Sequence, residues 1–430
     1  MLYRVMYHIK NYLSSNFEIF LSKNHGCLIK NPTIFQKQSL ILTLLQYIVC
    51  PLLKYVKKLQ SVEVSYMLYY LALFEKSCGP LRLFDYVTFR AGGAAATAFL
   101  IVACFGGAFA RMLRNMNLRA ADRYEGLIPP ELLDKRKNST PCMGGVLMVA
   151  ATLIANVLWL RPNSLIGWIL TGGMVAFAVL GFVDDALKVF RQDRDGLPEK
   201  PKLFFQFFIA ALAVAAFCFA PETSALMKQF YVPFLKTPLF SNSLFIPAFS
   251  VLAIAVMVNA VNFTDGKDGL ATGCTIFCTF TFAAFTYLMG HKIFAGYLDL
   301  PYISGIEEAV VFAFAVCGCC LGFLWHNCHP AAMFMGDTGS LALGGAISLL
   351  AVLVRQEVLM FLVGGVFTME FASVVLQRYY YKMTKKRIFL CSPIHHHFER
   401  LNWHETQIVV RFWILSGIFA MIALGTLKLR

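Results

Sequence analysis

Long apolar runs separated by short polar loops dominate this chain from about residue 91 onward. A membrane-spanning helix needs roughly 17–25 mostly apolar residues. Runs of this kind lie at 91–112, 143–160, 166–187, 203–220, 243–262, 270–289, 308–327, 339–354, 357–381 and 408–427. The ninth is the least regular, because it continues into the interfacial segment Arg378-Tyr379-Tyr380-Tyr381-Lys382. The pattern predicts an all-α polytopic membrane protein with about ten transmembrane helices.

Composition agrees with a membrane protein. Of the 430 residues, 58% are hydrophobic and 14% are charged, and the mean hydropathy is +0.63. A soluble domain could not bury that much apolar surface. The net charge of +14 forms no compact basic domain, which argues against nucleic acid as a partner. The 13 cysteines show no spacing with histidine that is typical of a zinc site.

The distribution of positive charge predicts the orientation of the helices. Most Lys and Arg side chains lie in the loops after odd-numbered apolar runs, and positively charged loops face the cytoplasm. Every polar cluster described below lies on or beside one of these loops. The sequence therefore predicts a single active site, assembled from separate loops, at the cytoplasmic face of the membrane.

The first 66 residues differ in character from the rest. They hold scattered Lys, Asn and Ser and one borderline apolar run, Leu40–Leu53, which Pro51 interrupts. This run is compatible with an eleventh helix or an interfacial segment. The segment lacks the n-region, h-region and small-residue cleavage site of a signal peptide. We interpret residues 1–66 as an N-terminal extension or a start-site artefact before Met67, and we expect them to be dispensable for activity.

Two adjacent carboxylates, Asp184 and Asp185, close the third apolar run. Asp184 and Lys188 are four residues apart, so a helix-end salt bridge is one interpretation. Two neighbouring carboxylates also repel each other, which favours a shared proton or cation. Mg²⁺ fits this position, because it takes oxygen ligands and keeps waters for substrate phosphates.

The segment from Asn259 to Ala271 is the most informative part of the chain. It places two amides and two carboxylates beside glycines at the end of an apolar run, namely Asn259, Asn262, Asp265 and Asp268. Asp-Gly pairs are common in plain turns. Amides at a helix end inside a membrane need partners, however, and ionisable groups there are costly enough to indicate function. The segment therefore predicts part of an active site.

A third cluster, Phe334 to Ser340, leads into the eighth apolar run. Asp337 either caps that helix or holds a metal beside an anion site at the helix N-terminus. Phe334 is either a stacking platform for a base or an ordinary interfacial aromatic residue. The cluster is compatible with a metal that bridges to phosphate.

Three consecutive histidines, His395 to His397, follow a Ser-Pro pair that is typical of a helix start. Successive helical residues point about 100° apart, so the three rings cannot bind one metal without unwinding. Phosphate binding or proton transfer fits them better. Lys137 and Lys202 are placed to reach phosphates as point charges. Together the clusters predict Mg²⁺-dependent phosphoryl transfer to or from a lipid.

In this order the motifs closely resemble the phospho-N-acetylmuramoyl-pentapeptide-transferase family. The resemblance runs from about Met67 to Arg430 and includes three further motifs: Thr88-Phe89-Arg90-Ala91, Thr140-Pro141-Cys142-Met143-Gly144-Gly145 and Arg411-Phe412-Trp413. The triple histidine separates the chain from the sister family that transfers N-acetylhexosamine phosphates. That family keeps the aspartates but has a different histidine loop.

The resemblance implies a ten-helix enzyme of the bacterial inner (cytoplasmic) membrane that depends on Mg²⁺. Its implied reaction transfers phospho-MurNAc-pentapeptide from UDP-MurNAc-pentapeptide to undecaprenyl phosphate, giving lipid I and UMP. This is the first membrane step of peptidoglycan synthesis. The sequence leaves open whether the chain is a monomer or a homodimer, which peptide variant it accepts, and whether a phospho-enzyme forms.

The resemblance also implies roles for individual residues. Asp337, with Asn262, would ligate Mg²⁺. The implied catalytic residues are Asp184, Asp185, Asp265, His395 and His396, where the aspartate pair serves the lipid phosphate and one of the two is a base. The implied substrate-binding residues are Lys137, Thr140, Lys202, Asn259, Asn262, Asp268, Asn327, Phe334, Gly336, Gln377 and His397. Within that set, four residues would form the uridine pocket, namely Lys137, Asp268, Asn327 and Phe334, and Lys202 would lie near the phosphates.

Three positions depart from the family pattern. Lys267 stands where an apolar residue is usual, Cys142 replaces a usual Thr, and Thr338 replaces a usual Val. Lys267 adds charge beside the implied uracil pocket and puts its details in doubt.

Rival functions are the sister hexosamine-phosphate transferase, a CDP-alcohol phosphotransferase and an ion-coupled transporter. This chain lacks the Arg-containing signature of a CDP-alcohol phosphotransferase, since Gly273 and Cys274 follow the Asp-Gly motif. A transporter should carry ionisable groups near mid-membrane, whereas these gather at one face.

Overall fold

The computed structural model of the chain describes residues 68–76, 78–116, 118, 140–191, 196–235 and 237–428. Most of these residues are helical. Our predictions for residues 1–66 and for Lys137 lie outside the described residues.

The described chain is built mainly from α-helices. In chain order they are α1 (Val87–Asn115), α2 (Gly145–Trp159), α3 (Leu165–Arg191), α4 (Glu199–Phe219), α5 (Phe245–Thr264), α6 (Leu270–Gly290), α7 (Lys292–Tyr297), α8 (Glu308–Asn327), α9 (Gly336–Leu353), α10 (Glu357–Val363), α11 (Gly365–Thr384), α12 (Ile394–Arg400) and α13 (Glu405–Gly425). Three short 3₁₀ helices add to them at Leu68–Phe74, Gly79–Asp85 and Leu226–Lys228. A small antiparallel hairpin pairs β1 (Gln229–Phe230) with β2 (Phe240–Ser241).

Each of the ten predicted apolar runs corresponds to a helix or a helix pair, so the all-α polytopic prediction is confirmed. Among the described residues, 8 helices are long and apolar enough to cross a membrane. The second run forms the shorter apolar helix α2, which has 15 residues. The chain is thus a multi-pass membrane protein.

The ninth run is two helices rather than one. α10 and α11 meet at Gly364 and are bent by 91°. Adjacent glycines are a common cause of sharp helix breaks, and the run carries Gly364-Gly365 at this point. A side chain at Gly365 would also meet the ring of Phe419 at 2.5 Å. The break directs α11 away from the axis of α10, which the apolar pattern did not predict.

The most buried helix is α9, since 94% of its apolar window lies inside the protein. It packs against α3 on one side and α5 on another. Small residues allow this approach: a Cβ at Gly181 of α3 would overlap the backbone carbonyl of Asp337 at the start of α9. The contact brings Asp184 and Asp185, one turn beyond Gly181 on α3, against the N-terminus of α9.

We expect Gly181→Ala to destabilise the protein by about 1–3 kcal/mol, because backbone cannot yield to an added methyl as a side-chain tip can. Gly172 lies on the same helix, and a Cβ added there would meet no heavy atom within 4 Å, so Gly172→Ala is the matched control. Alanine there should be neutral or slightly stabilising, since glycine weakens helices. Thermal unfolding in detergent measures both, and equal unfolding temperatures for the two variants would contradict the packing argument.

Two buried ion pairs lie at the end of the helices opposite the start of α9. Arg90 of α1 pairs with Glu308 of α8, and Arg355 pairs with Glu357 at the start of α10. Arg90 also donates to the carbonyl of Trp159 at the end of α2, at 3.1 Å. Removing one partner of such a pair leaves an uncompensated buried charge. These pairs tie helix ends together far from the clusters predicted to carry chemistry.

Candidate active site

The predicted polar clusters meet at one end of the bundle. The end of α3, the start of α9 and the turn between α5 and α6 contribute to it, and α12 packs against α11 beside them. Antiparallel neighbours explain this convergence: α3 ends where α9 begins, so motifs about 150 residues apart in sequence lie side by side, as Lys188 and Asp337 do at a separation of 149.

Asp184 and Asp337 share two lysine side chains. Lys188 Nζ lies 2.6 Å from Asp184 Oδ2 and 2.7 Å from Asp337 Oδ2. Lys202 Nζ lies 3.2 Å and 2.7 Å from the same two oxygens. The Asp184–Lys188 salt bridge expected from the spacing is present, but it is one edge of a larger cluster. Two ammonium groups between two buried carboxylates mark a position that favours positive charge.

Asp185 has a different environment from its neighbour. Its Oδ1 accepts the backbone N–H of Asp337 at 3.0 Å, and its Oδ2 accepts the N–H and the hydroxyl of Thr338 at 2.9 and 2.7 Å. These donors belong to the first turn of α9, whose N–H groups have no partner within the helix. Asp185 of α3 therefore caps α9 from outside, and the hydroxyl of Thr338 takes part in the cap.

Gly336 leads into this cap with a φ of +72°, a conformation that favours glycine. A side chain there would lie 2.6 Å from Asp185 Oδ2 and 2.9 Å from Cys142 Sγ. Backbone hydrogen bonds hold the neighbouring segment, because Phe334 donates to Pro141 O at 2.9 Å and Gly144 donates to Phe334 O at 2.8 Å. Thr140, predicted to bind substrate, is buried at the start of the same segment.

Asn262 completes the cluster from the end of α5. Its Nδ2 donates to Asp337 Oδ1 at 2.9 Å and to Ser340 Oγ at 2.8 Å. This geometry leaves the amide oxygen of Asn262 as the group that can act as a ligand. The structure thus brings together the two residues, Asp337 and Asn262, that the resemblance assigned to Mg²⁺.

Asp265 directly follows α5 and contributes its charge to the same region. Burial raises the pKa of the Cys142 thiol well above its usual value, and the charges of Asp185, Asp265 and Asp337 raise it further. Negative charge from α3, the start of α9 and the turn after α5 therefore converges on Cys142, which stays protonated. Cys142 replaces the Thr that is usual at this position, and like Thr it places a small, neutral side chain among the carboxylates.

His395 lies on α12 and is fully buried. Its Nδ1 is 3.1 Å from Oε2 of Glu370 on α11, which is also fully buried. A Cβ at Gly266 would lie 2.6 Å from Nε2 of the same ring. His395 therefore lies between α11 and the turn that follows Asp265. Sequence reasoning missed Glu370, although an acid within an apolar run was a visible signal.

Glu399 on α12 pairs with both His396 and Lys267. His396 Nδ1 lies 2.9 Å from Glu399 Oε2, and Lys267 Nζ lies 2.6 Å from Glu399 Oε1. Burial lowers the pKa of His396 to about 4. Burial alone would raise the pKa of Glu399, but the bonds from His396 and Lys267 outweigh it and hold that pKa at about 2. At neutral pH the neutral imidazole of His396 donates its Nδ1–H to the carboxylate of Glu399. The same carboxylate neutralises the charge of Lys267.

We expect acid to destabilise this part of the protein. The pKa of His396 falls from its ordinary value of 6.5 to about 4 in the folded protein, and that of Glu399 falls from 4.5 to about 2. The unfolded chain therefore binds more protons between these values, and stability falls as pH drops through 6.5 towards 2. His396→Gln should reduce the loss of stability between pH 7 and 5, as measured by thermal unfolding. His404→Gln, at an exposed histidine, is the control, and equal pH profiles would contradict the assignment.

Asp268 lies at the other side of the turn, in contact with a different set of groups. Its Oδ2 accepts from His329 Nδ1 at 3.0 Å and from the Ala331 N–H at 3.2 Å, and its own N–H donates to Glu405 Oε1 at 3.2 Å. Ligand atoms of Asp268, His329 and Glu405 lie within 4.8 Å of one another. Asn327 stands beside them, accepting the Gly269 N–H at 3.0 Å and donating to Met333 O at 2.9 Å.

Three predicted substrate-binding residues make their hydrogen bonds within the protein, away from the lysine–aspartate cluster. Asn259 donates to Gln206 Oε1 of α4 at 2.6 Å. Gln377 Oε1 accepts the N–H groups of residues 388 and 389 at 3.1 and 3.0 Å. His397 Nδ1 accepts the Leu390 N–H at 3.2 Å. The last two residues thus organise the loop between α11 and α12.

Comparisons with known proteins agree with this picture. Residues 167–355 match the model of the family described as glycosyl transferase family 4. The chain is 41% identical over 367 residues to a phospho-N-acetylmuramoyl-pentapeptide-transferase of Methylacidiphilum infernorum, a match that covers 85% of this chain and 100% of the relative. It is 44% identical over 367 residues to the protein of that name from Neisseria meningitidis serogroup C, and 43% over 368 residues to that from Dinoroseobacter shibae, with the same coverage. This chain belongs to the phospho-N-acetylmuramoyl-pentapeptide-transferase family.

Proposed function

We propose that this chain transfers phospho-MurNAc-pentapeptide from UDP-MurNAc-pentapeptide to undecaprenyl phosphate, forming lipid I and releasing UMP. The observation that carries the proposal is the cluster in which Lys188 and Lys202 lie between Asp184 and Asp337, in a member of this family. Phosphoryl transfer depends mostly on positioning and on charge neutralisation. Such a cluster supplies both at a helix end, where a lipid headgroup can reach it.

The residues of the cluster fit a divalent cation. Asp337, Asp184 and the amide oxygen of Asn262 are oxygen donors of the kind that Mg²⁺ prefers, and positive charge already lies between the two carboxylates. Asp337 and Asn262 would hold the ion. When bound, it neutralises phosphate charge. Lys188 and Lys202 are then available as point charges for phosphate oxygens.

We assign the proton-accepting role to Asp184. An oxygen of undecaprenyl phosphate attacks the sugar-bearing phosphorus of the nucleotide substrate, and the bond from that phosphorus to the UMP oxygen breaks. Asp184 takes the proton of the lipid phosphate. Asp185 serves instead to hold the N-terminus of α9, and thus Asp337, in place, as its three hydrogen bonds indicate.

The turn after α5 would bind the remaining parts of the nucleotide sugar. Asp265, His395 and His396 line its sugar-phosphate side, and Asp268, Asn327 and Phe334 lie towards the uridine side. With Nδ1 donating to Glu399, His396 presents Nε2 as an acceptor. The positive charge of the loops after the first, third and ninth apolar runs supports a cytoplasmic orientation in a bacterial inner membrane.

A direct assay tests the proposed function. Purified protein is incubated with UDP-MurNAc-pentapeptide, a polyprenyl phosphate and Mg²⁺, and UMP and the lipid product are measured. UMP release that requires the polyprenyl phosphate is the expected result. Turnover with UDP-N-acetylhexosamine instead would indicate the sister transferase, and substrate flux in liposomes without UMP would indicate a transporter.

A further inference from the structure

A glutamate inside an apolar helix is the feature that the proposed mechanism leaves unused. Glu370 lies five residues after Gly365, where α11 begins, and is fully buried. The polar side chain next to it is His395, whose Nδ1 lies 3.1 Å from Glu370 Oε2. The backbone N–H of His395 also donates to that oxygen, at 3.4 Å. A carboxylate in this position is costly unless it has a specific partner.

The contact between the two side chains is incomplete. Its distance suits an ion pair, but its alignment does not meet hydrogen-bond geometry. Nδ1 of His395 therefore has no hydrogen-bond partner among the described residues, and neither does Nε2 of the same ring or Oε1 of Glu370. Buried polar atoms are nearly always paired. Catalytic hydrogen bonds are often poorly aligned without substrate and tighten in its presence, and a turn of the ring would align this one.

The other edge of the ring faces the active site. A Cβ at Gly266 would lie 2.6 Å from His395 Nε2, so the ring lies directly against the backbone of the turn that carries Asp265. The Gly266 N–H donates to Thr264 O at 2.8 Å, which keeps that turn tight. His395 thus links Glu370 on α11 to the end of α5, across a contact that only glycine permits.

We propose that Glu370 is a positioning residue of the transferase site, whose carboxylate takes the Nδ1–H of His395 and directs the Nε2 edge of the ring to the Asp265 turn. A carboxylate at one ring nitrogen selects the tautomer and orientation of an imidazole. With the proton on Nδ1, the Nε2 lone pair faces the turn. The inference rests on the proposed function and adds to it a residue on the helix that follows the 91° break.

The same helix pair offers a matched control. Glu357 of α10 is also a fully buried glutamate, but its partner is Arg355 at the opposite end of the bundle. Glu357→Gln therefore reports what loss of a buried carboxylate does to the fold. Comparing it with Glu370→Gln separates a general effect on stability from an effect on the active site.

A double-mutant cycle tests the proposal. UMP release is measured for the wild type, Glu370→Gln, His395→Gln and the double variant, with thermal unfolding of each. We expect Glu370→Gln to lower kcat by about 10–100-fold, as loss of an orienting partner does. The double variant should be no slower than His395→Gln, because Glu370 acts through that ring. Glu370→Asp, which keeps the charge, should recover part of the rate.

A second pair of variants keeps the proposal testable if Glu370→Gln does not fold. Gly266→Ala adds a methyl against Nε2 without touching Glu370, and it should slow the wild type but cause little further loss in His395→Ala. Losses that multiply in either cycle, or a wild-type rate for Glu370→Gln, would overturn the inference while the proposed function stands. So would a loss in Glu357→Gln, at retained fold, equal to that in Glu370→Gln. A wild type that releases no UMP would overturn both.

Discussion

Replacing Asp337 by asparagine is expected to lower turnover by about a thousandfold or more while the protein stays folded. Asp337 Oδ2 faces Lys188 and Lys202 at 2.7 Å each, and its Oδ1 accepts from Asn262. An amide cannot supply the charge that holds a divalent cation. Loss of several kcal/mol of charge stabilisation corresponds to this factor, since about 1.4 kcal/mol is tenfold in rate.

UMP release and its dependence on Mg²⁺ concentration measure this effect. Thermal unfolding should show a folded variant, because the backbone N–H of Asp337 keeps its bond to Asp185. Glu307→Gln, at a partly buried carboxylate near Arg161, serves as the control and should keep the wild-type rate. An Asp337→Asn protein with wild-type turnover, or with an unchanged Mg²⁺ dependence, would refute the role of this carboxylate.

Asp184→Asn and Asp185→Asn are expected to fail in different ways, although the residues are adjacent. Asp185→Asn should destabilise the protein by about 1–3 kcal/mol, because an amide offers one acceptor where three donors meet and places its N–H groups against them. Asp184→Asn should keep the bond from the Leu197 N–H but lose turnover, most strongly at acidic pH. There the lipid phosphate, with a second pKa of about 6, still carries the proton that Asp184 would accept.

A pH–rate profile of both variants, with thermal unfolding of each, checks this assignment. Losses equal at every pH for Asp184→Asn would indicate that this carboxylate only positions substrate or metal. A phosphorylated protein trapped by acid quench without lipid would indicate a covalent nucleophile and would overturn direct attack by the lipid phosphate. Equal stability of the two variants would contradict the capping role of Asp185.

Sequence reasoning reached the helices because their signal is local. Runs of apolar residues and the glycine, aspartate and asparagine motifs at their ends are properties of short segments. The ten predicted runs match α1 to α6, α8 to α11 and α13, with α10 and α11 forming one run that bends at Gly364, whereas no apolar run predicted the short helix α7. The Asp184–Lys188 pair was accessible for the same reason, since four residues span one helical turn.

The different roles of residues within the site could not be predicted from short segments. Asp184 and Asp185 have equivalent chemistry in the sequence, and only the packing of α3 against α9 turns one towards the lysines and the other to the backbone N–H groups of Asp337 and Thr338. The charge of Lys267 placed the uracil pocket in doubt, yet the fold pairs it with Glu399. Glu370 was passed over because its partner His395 lies 25 residues away.

The sequence by itself determined that this is a multi-pass helical membrane protein whose acidic, amide and histidine motifs gather at one end, because hydropathy and short motifs depend only on neighbours along the chain. The tertiary structure decided which carboxylate meets which cation, where the ninth run breaks, and which glutamate supports a histidine. Those outcomes depend on contacts between helices far apart in sequence, as in the 153-residue separation between Asp185 and Thr338. A hydrogen bond or ion pair needs atoms brought within about 3 Å, and only helix packing supplies that proximity.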